Sequence, residues 1–254
     1  MTLHLDNLTS ITTKFAPANM DLLAKRELQK RVDQKYILPI SKIYSLLDIL
    51  RNDFAIIPIA SHNVAEYQTQ YFDTKEYFFF VNHLRGKRPR YKVRLRRYID
   101  RNICMLECKE KKADLTVKTS IEVPYDTSTL LNHHSFFDEL PYKVEYLYPS
   151  LLNTFHRITL LHKNLEERLT IDFNIAFDTP HQNISVDNCI IIERKRRLVS
   201  TGSSVPSLLR CVRAYPLSIS KYCIGGYHLF NTNKNTLYRA KSHLLRKLTH
   251  DRTL

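Results

Sequence analysis

Residues 90–96 read Arg90-Tyr91-Lys92-Val93-Arg94-Leu95-Arg96. In an extended strand, residues i, i+2 and i+4 share one face. This stretch therefore sets Arg90, Lys92, Arg94 and Arg96 on one side, with Val93 and Leu95 on the other. The same alternation returns in Arg31-Asp33-Lys35, Met105-Glu107-Lys109-Lys111, Arg168-Thr170-Asp172 and Ile191-Glu193-Lys195-Arg197. Leu169-Ile171-Phe173 and Ile190-Ile192 supply apolar opposite faces. One charged strand fits a solvated edge. Five, spread over most of the chain, predict a barrel or deeply curved sheet with a charged interior, which is costly unless an anion fills it.

The composition narrows the classes. At 254 residues with 43% hydrophobic side chains, the chain has the size and composition of one large soluble domain. The longest apolar runs, Phe54 to Ala60 and Cys189 to Ile192, are too short to span a bilayer. The opening Met1-Thr2-Leu3-His4-Leu5-Asp6 lacks a basic segment followed by an apolar one, so no secretory signal is expected and a cytoplasmic protein is. A net charge of +14 calls for an anionic partner. Five cysteines without a CxxC pair read as reduced thiols, not as a zinc ribbon or a thioredoxin-like site. Only Gly86, Gly202, Gly225 and Gly226 are glycines, which excludes a Walker loop or a GxGxxG turn. Side chains must hold any phosphate.

Along the chain, residues 1 to 19 read as a poorly ordered lead-in and Met20 to Gln29 as a short helix. A strand follows from Lys30 to Leu38, then a helix capped by Ser41 with Ile43, Leu46, Leu47 and Leu50 at helical spacing. Ala65 to Tyr71 and Tyr77 to Val81 read as strands. Tyr91 to Ile99 and Cys104 to Lys111 form a hairpin, and Val117 to Val123 is another strand. Thr129 to Leu140 and Ser150 to Asn153 read as helix or loop. Phe155 to His162 and Arg168 to Phe173 form a second hairpin, and Cys189 to Arg196 the last long strand. Val205 to Arg213 is a short helix, with Pro206 early in it. The basic tail from Asn233 to Asp251 carries Leu237, Leu244, Leu245 and Leu248 at helical spacing; it is solvated, closes a tunnel mouth or touches an anionic membrane. The expected fold is α+β, mainly β: an eight-stranded antiparallel tunnel barrel with a charged interior, decorated by helices.

Four cations on one strand face repel one another unless a polyanion threads between them, and arginine forks match phosphate oxygens. Glu107, Asp172 and Glu193 suit a divalent metal, or hold lysines and arginines in position. Oxygen ligands without clustered histidines favour magnesium or manganese over zinc.

The ordered segments Arg31-Val32-Asp33-Gln34-Lys35-Tyr36, Tyr67-Gln68-Thr69-Gln70-Tyr71-Phe72-Asp73-Thr74, Lys92-Val93-Arg94-Leu95-Arg96 and Leu106-Glu107-Cys108-Lys109 resemble the motifs of the VTC domain. Phe155-His156-Arg157-Ile158-Thr159, Arg168-Leu169-Thr170-Ile171-Asp172, Ile192-Glu193-Arg194-Lys195 and Ser220-Lys221-Tyr222 continue the series in order. That domain is the polyphosphate polymerase branch of the triphosphate tunnel metalloenzymes, in the CYTH-like superfamily. The resemblance implies a tunnel domain over 27–230, between a lead-in with a short helix (1–26) and a basic C-terminal helix (231–254). It implies transfer of the ATP γ-phosphate to a growing polyphosphate chain, with Mn2+ or Mg2+. Lys35, Arg94, Arg96, Arg157 and Lys195 would be catalytic, with Lys92, Lys109, Arg168, Ser220 and Lys221 binding substrate and Glu193 holding metal. Two departures stand out. Arg31 and Asp33 replace the glutamate pair of the hydrolase branch, and Phe155 lacks a hydroxyl that other members offer.

The implied partners are ATP and polyphosphate, with no nucleic acid, since no RRM, KH or OB signature is present. Eukaryotic relatives couple synthesis to membrane passage through attached helices. Such coupling here would need a separate membrane partner and a place at the inner face of a membrane. The alternatives are a triphosphatase of the same fold and a non-catalytic polyphosphate-binding subunit.

Overall fold

The computed structural model describes residues 3–24, 31–59, 63–113, 115–138, 140–198, 202–232 and 235–249. The strands are β1 (Arg31–Pro39), β2 (Phe54–Ile56), β3 (Ala65–Asp73), β4 (Arg90–Tyr98), β5 (Ile103–Lys112) and β6 (Leu115–Val123), then β7 (Tyr148–His162), β8 (Glu167–Asp178), β9 (Asn183–Val186) and β10 (Cys189–Arg197). The helices are α1 (Leu5–Thr12), α2 (Met20–Ala24), α3 (Ile43–Leu50), α4 (Phe78–Leu84), α5 (Val205–Cys211), α6 (Lys221–Leu229) and α7 (Arg239–Thr249).

All ten strands join one antiparallel sheet, eight of them in the order β1-β10-β8-β7-β3-β4-β5-β6. The mainly β, antiparallel expectation holds. The sheet curls, so that one cavity is lined from β1, β4, β5 and β10 together. Among the described residues no pairing joins β1 to β6, so the curl is a half-barrel and not a hydrogen-bonded ring.

Period-two alternation sorts the side chains as the sequence demands. Val93, Leu95 and Leu106 pack outward against Phe79, Phe137 and Leu147. Leu169, Ile171, Phe173, Ile190 and Ile192 pack outward beneath α1, α3 and α5. Each such fully buried side chain contributes about 1.5–3 kcal/mol. The concave face divides along its length. Ile37, Leu151, Phe155, Ile175, Phe177 and Ile191 are covered by α6 and by Tyr238 and Leu245 of the C-terminal segment. The remaining part is charged.

A bulge sets that boundary on β8. Asn174 sits at φ +48°, and the β7–β8 register shifts between Thr154 and His156. Asparagine tolerates this left-handed conformation, and the extra residue flips the side-chain order. Thr170 and Asp172 belong to the charged face before the bulge, and Ile175 and Phe177 lie beneath α6 after it. The Asn174 amide also brackets the N-terminal segment, accepting from Leu3 N (3.0 Å) and donating to Leu3 O (2.8 Å).

Helix α6 lies close on this apolar part because two residues lack a β-carbon. A Cβ at Gly225 would sit 2.5 Å from the Phe177 ring and 2.7 Å from Leu151. Gly225→Ala gains about 1 kcal/mol of helix propensity, but overpacking against an aromatic and a leucine costs about 1–3 kcal/mol. The expected result is a net loss, read as a lower midpoint in thermal unfolding; an unchanged or higher midpoint would contradict this packing.

Several sequence expectations differ. Of the expected loose lead-in over residues 1–19, the described part from 3 to 19 is ordered: Leu3, Leu8, Ile11 and Phe15 are buried with α3. Helix α2 spans Met20–Ala24, and residues 25–29 of the expected helix lie outside the described residues. Ser41 sits inside a 3-10 turn and does not cap α3. Tyr77 to Val81 is not a strand, because most of it belongs to helix α4. The buried Asp73 carboxylate accepts Phe79 N and Phe80 N at 2.8 Å each, and this capping overrides the aromatic run's strand propensity. Ser150 to Asn153 belongs to β7, where its pairing with β3 continues past Pro149 through a register shift.

Candidate functional site

The charged part of the concave face is built in cross-strand layers. Lys35 of β1 lies opposite Glu193 of β10, and Arg168 of β8 opposite Lys195 of β10. Asp172 of β8 faces Arg157 of β7. Arg94 faces Glu107 across β4 and β5, and Lys92 faces Lys109. Helix α6 delivers Lys221 at its first residue. The loop before it is tied to β1, since Leu217 N donates to Lys35 O (2.7 Å) and Lys35 Nζ to Ile219 O (3.0 Å).

Two buried carboxylates organise these cations. Asp172 takes both Nε (2.6 Å) and a terminal nitrogen (2.8 Å) of Arg157, and also Lys221 Nζ. Burial alone would raise its pKa, but the Arg157 and Lys221 charges hold it down at about 2. Glu107 pairs with Arg94 Nε and with Lys118 Nζ (2.6 Å) of β6. Burial opposes its ionisation too, and Arg94, Arg96 and Lys118 outweigh it. An aromatic floor completes the layer. The Arg157 guanidinium lies 4.9 Å over Tyr67 and 5.2 Å over Phe155, and Lys221 Nζ lies 4.0 Å over Phe155. Phe155 thus offers its ring face to both cations.

Beyond these pairs the cations exceed the acids. Among the described residues, Lys92 and Lys109 make no hydrogen bond or ion pair with a carboxylate. Both line a cavity of about 500 Å³, together with Lys35, Arg90 and Glu193. Burial pushes Lys92 down to about 8, and neighbouring Lys35, Arg94 and Arg90 add to the shift. Burial and the same repulsion, from Arg94 and Lys195, bring Lys109 well below its usual range. Lys221 is also lowered to about 8, by burial first and then by Arg157 and Arg96.

A pH prediction follows from Lys92 and Lys221. Their folded pKa lies below the unfolded value near 10.4, so the unfolded chain binds more protons between these values. Free-protein stability therefore rises with pH from about 8 upward. A bound anion raises both pKa values, so tripolyphosphate binding takes up protons and its affinity falls as pH rises through about 8. Unfolding midpoints and titration calorimetry across pH 7 to about 9.5 check these opposite trends. A parallel trend in the two would contradict them.

Glu193 differs from the other acids. Its one ion pair among the described residues is to Lys195 Nζ at 3.3 Å, looser than the contacts of Asp172 and Glu107, and it lines the cavity. Burial would raise its pKa, but Lys195, Lys35, Lys109 and Arg157 bring it well below the usual range. Among the described residues no group of three or more His, Cys, Asp and Glu converges to hold a metal. Glu193, with Asp33 also in the cavity wall, fits a hard divalent cation that draws its other ligands from phosphate oxygens and water.

A curled antiparallel sheet bearing excess inward cations and one loosely paired acid narrows the family, and the VTC domain model matches residues 30–230. The chain belongs to the VTC domain family. Membership of that family implies dependence on a divalent metal. A Bacillus halodurans protein provisionally described as an adenylate cyclase shares its fold, with TM-score 0.51 and 10% identity, covering 80% of this chain and 98% of that one. A Hippeastrum protein provisionally described as an adenylyl cyclase, with a dominant triphosphatase activity, aligns with TM-score 0.49 and 13% identity, covering 77% of this chain and 94% of that one. No curated protein matches the sequence. Among the described residues no helix is long and apolar enough to cross a membrane.

Within this VTC domain, the expected residues Lys35, Lys92, Arg94, Lys109, Arg157, Glu193, Lys195 and Lys221 share the concave face. Arg96 joins them, with Nε 3.3 Å from Thr69 Oγ1, and so does Arg168, beside Lys195. Ser220 is partly committed, because its Oγ caps α6 by accepting Cys223 N (3.1 Å). Asp172 and Glu107 emerge as holders of arginine and lysine. Lys118 and Asp73 were not singled out in the sequence, and the buried Arg194–Glu167–Gln34 network on the outer face was also missed. For Arg194 the sequence did carry a sign: it falls on the outward parity of β10, where an unpaired cation would be costly.

Proposed function

We propose that this VTC domain is a metal-dependent polyphosphate polymerase, which transfers the γ-phosphate of ATP to a growing phosphate chain. One observation favours transfer to phosphate over hydrolysis. Asp172 and Glu107 are already committed to cations by close contacts, which leaves Glu193 the most loosely ion-paired of these three acids. Attack by water needs a base or a second metal to activate it. A terminal phosphate oxygen is already ionised and needs neither.

The chain's own residues act by position and charge. Arg94, Arg157 and Arg168 offer forked donors to phosphate oxygens, while Lys35, Lys92, Lys109, Lys195 and Lys221 act as point charges along the same line. Asp172 and Glu107 fix their arginines before substrate arrives, so little reorganisation accompanies transfer. The curled wall aligns the accepting oxygen with the γ-phosphorus, and the cations stabilise charge on the transferring group. A metal at Glu193, held jointly with substrate phosphates, would supply further neutralisation of phosphate oxygens.

Incubation with ATP and manganese or magnesium, resolving products by chain length, tests this. A ladder of long polyphosphate with ADP supports the polymerase. Orthophosphate with ADP and no ladder makes the protein a triphosphatase, and binding without turnover makes it a binding subunit.

A further inference from the structure

Among the described residues the sheet has two edges, β1 and β6, and they are treated differently. The edge of β1 away from β10 is met by the 216–220 loop, where Leu217 N donates to Lys35 O (2.7 Å), and α7 packs beside the same strand. At the other end β6 pairs with β5 and, among the described residues, with no further strand. Every side chain from Thr116 to Glu122 is exposed. Two of them are large and apolar: Val117 is 52% and Ile121 38% exposed.

Natural sheets blunt a free edge with proline, a bulge, short length, an unpaired charge or a covering element. Strand β6 uses none of these. It runs from Leu115 to Val123 without proline, and its register with β5 is unbroken. Its lysine, Lys118, is turned to Glu107 at 2.6 Å and does not guard the edge. Thr116, Val117, Thr119 and Ile121 are β-branched, which suits a strand paired on both sides.

The strand is also complementary to itself. A two-fold axis through Thr119 sets two copies antiparallel, with Val117 of one opposite Ile121 of the other and Thr119 opposite Thr119. Both exposed apolar side chains then gain a cross-strand neighbour. On the other face Lys118 falls opposite Ser120 and diagonal to Glu122, so unlike charges approach and no like charges meet. A head-to-tail pairing of β6 with β1 is blocked, because Lys35 O already accepts Leu217 N. The closed two-fold is the arrangement left.

We infer that β6 is a dimerisation strand, along which two copies of this chain join antiparallel and continue their sheets into one. The contact reaches the charged layer, since β6 carries the Lys118 that holds Glu107 against Arg94.

Analytical sedimentation of the full chain, beside Val117→Lys, Ile121→Glu and the double variant, tests this. The wild type should sediment as a dimer at micromolar concentration. Each single variant should weaken the dimer about tenfold, because the two-fold axis repeats the lost Val–Ile contact. The double variant should return to within about threefold of the wild type, since each new lysine meets a new glutamate across the axis. Positions 117 and 121 lie about 13 Å apart along one strand, so no contact within a single copy produces that rescue. The wild-type unfolding midpoint should rise with protein concentration, a check that does not depend on how the variants fold. A monomeric wild type with a concentration-independent midpoint overturns the dimer. A dimer that the single variants leave intact, or that the double variant fails to restore, overturns the β6 pairing.

Discussion

Glu193→Gln is expected to lower metal-dependent turnover by about three orders of magnitude or more while leaving tripolyphosphate affinity equal or higher. Glutamine keeps the shape but removes the charge that suits a divalent metal. It also removes the acid ion-paired with Lys195 Nζ and surrounded by Lys35, Lys109 and Arg157. An anion then meets a more positive wall. The two readouts separate a metal ligand from a structural ion-pair partner. Rates fall and affinity holds for the first, whereas both decline together if Glu193 merely positions Lys195. Metal titrations of both proteins, following steady-state rates and phosphate affinity, check the split.

Asp172→Ala should be the most destabilising single change in the charged layer. The substitution strands Arg157 and Lys221, whose side chains are only 12% and 13% exposed. Removing one partner of a buried pair costs about 3–5 kcal/mol. For a chain of this size that lowers the unfolding midpoint by roughly 6–20 °C. Tripolyphosphate should restore much of the loss, because phosphate oxygens replace the missing carboxylate. Activity should drop at least about 100-fold even in folded protein, since Arg157 loses its fixed orientation. Thermal unfolding with and without tripolyphosphate checks this, and a variant as stable as the wild type would contradict the pairing.

The charged layer was legible in the sequence because strand periodicity is local. Alternation in 90–96 and 191–197 assigns each residue a face before any partner is known, and those faces hold. Motif order carried the family. Long-range contacts were not legible. Tyr77-Phe78-Phe79-Phe80 becomes mainly helical because Asp73, several residues upstream, caps its amides. Residues 1–19 look sparse alone, but Leu8 and Ile11 gain a surface from α3. The Asn174 bulge, which divides the apolar from the charged concave face, leaves no periodic signature in a single chain. For the basic tail the sequence does not choose between a solvated helix, a closed tunnel mouth and a membrane contact, and only the burial of Tyr238 and Leu245 against the concave face places it.

Lys92 and Lys109, which among the described residues pair with no carboxylate, await a linear phosphate chain. The most direct measurement is calorimetric titration of the protein with tripolyphosphate and with orthophosphate, beside a Lys92→Ala, Lys109→Ala double variant. Tripolyphosphate should bind at least about 100-fold more tightly than orthophosphate, and the double variant should lose most of that preference. Equal, weak binding of both anions, unchanged in the variant, would contradict the account.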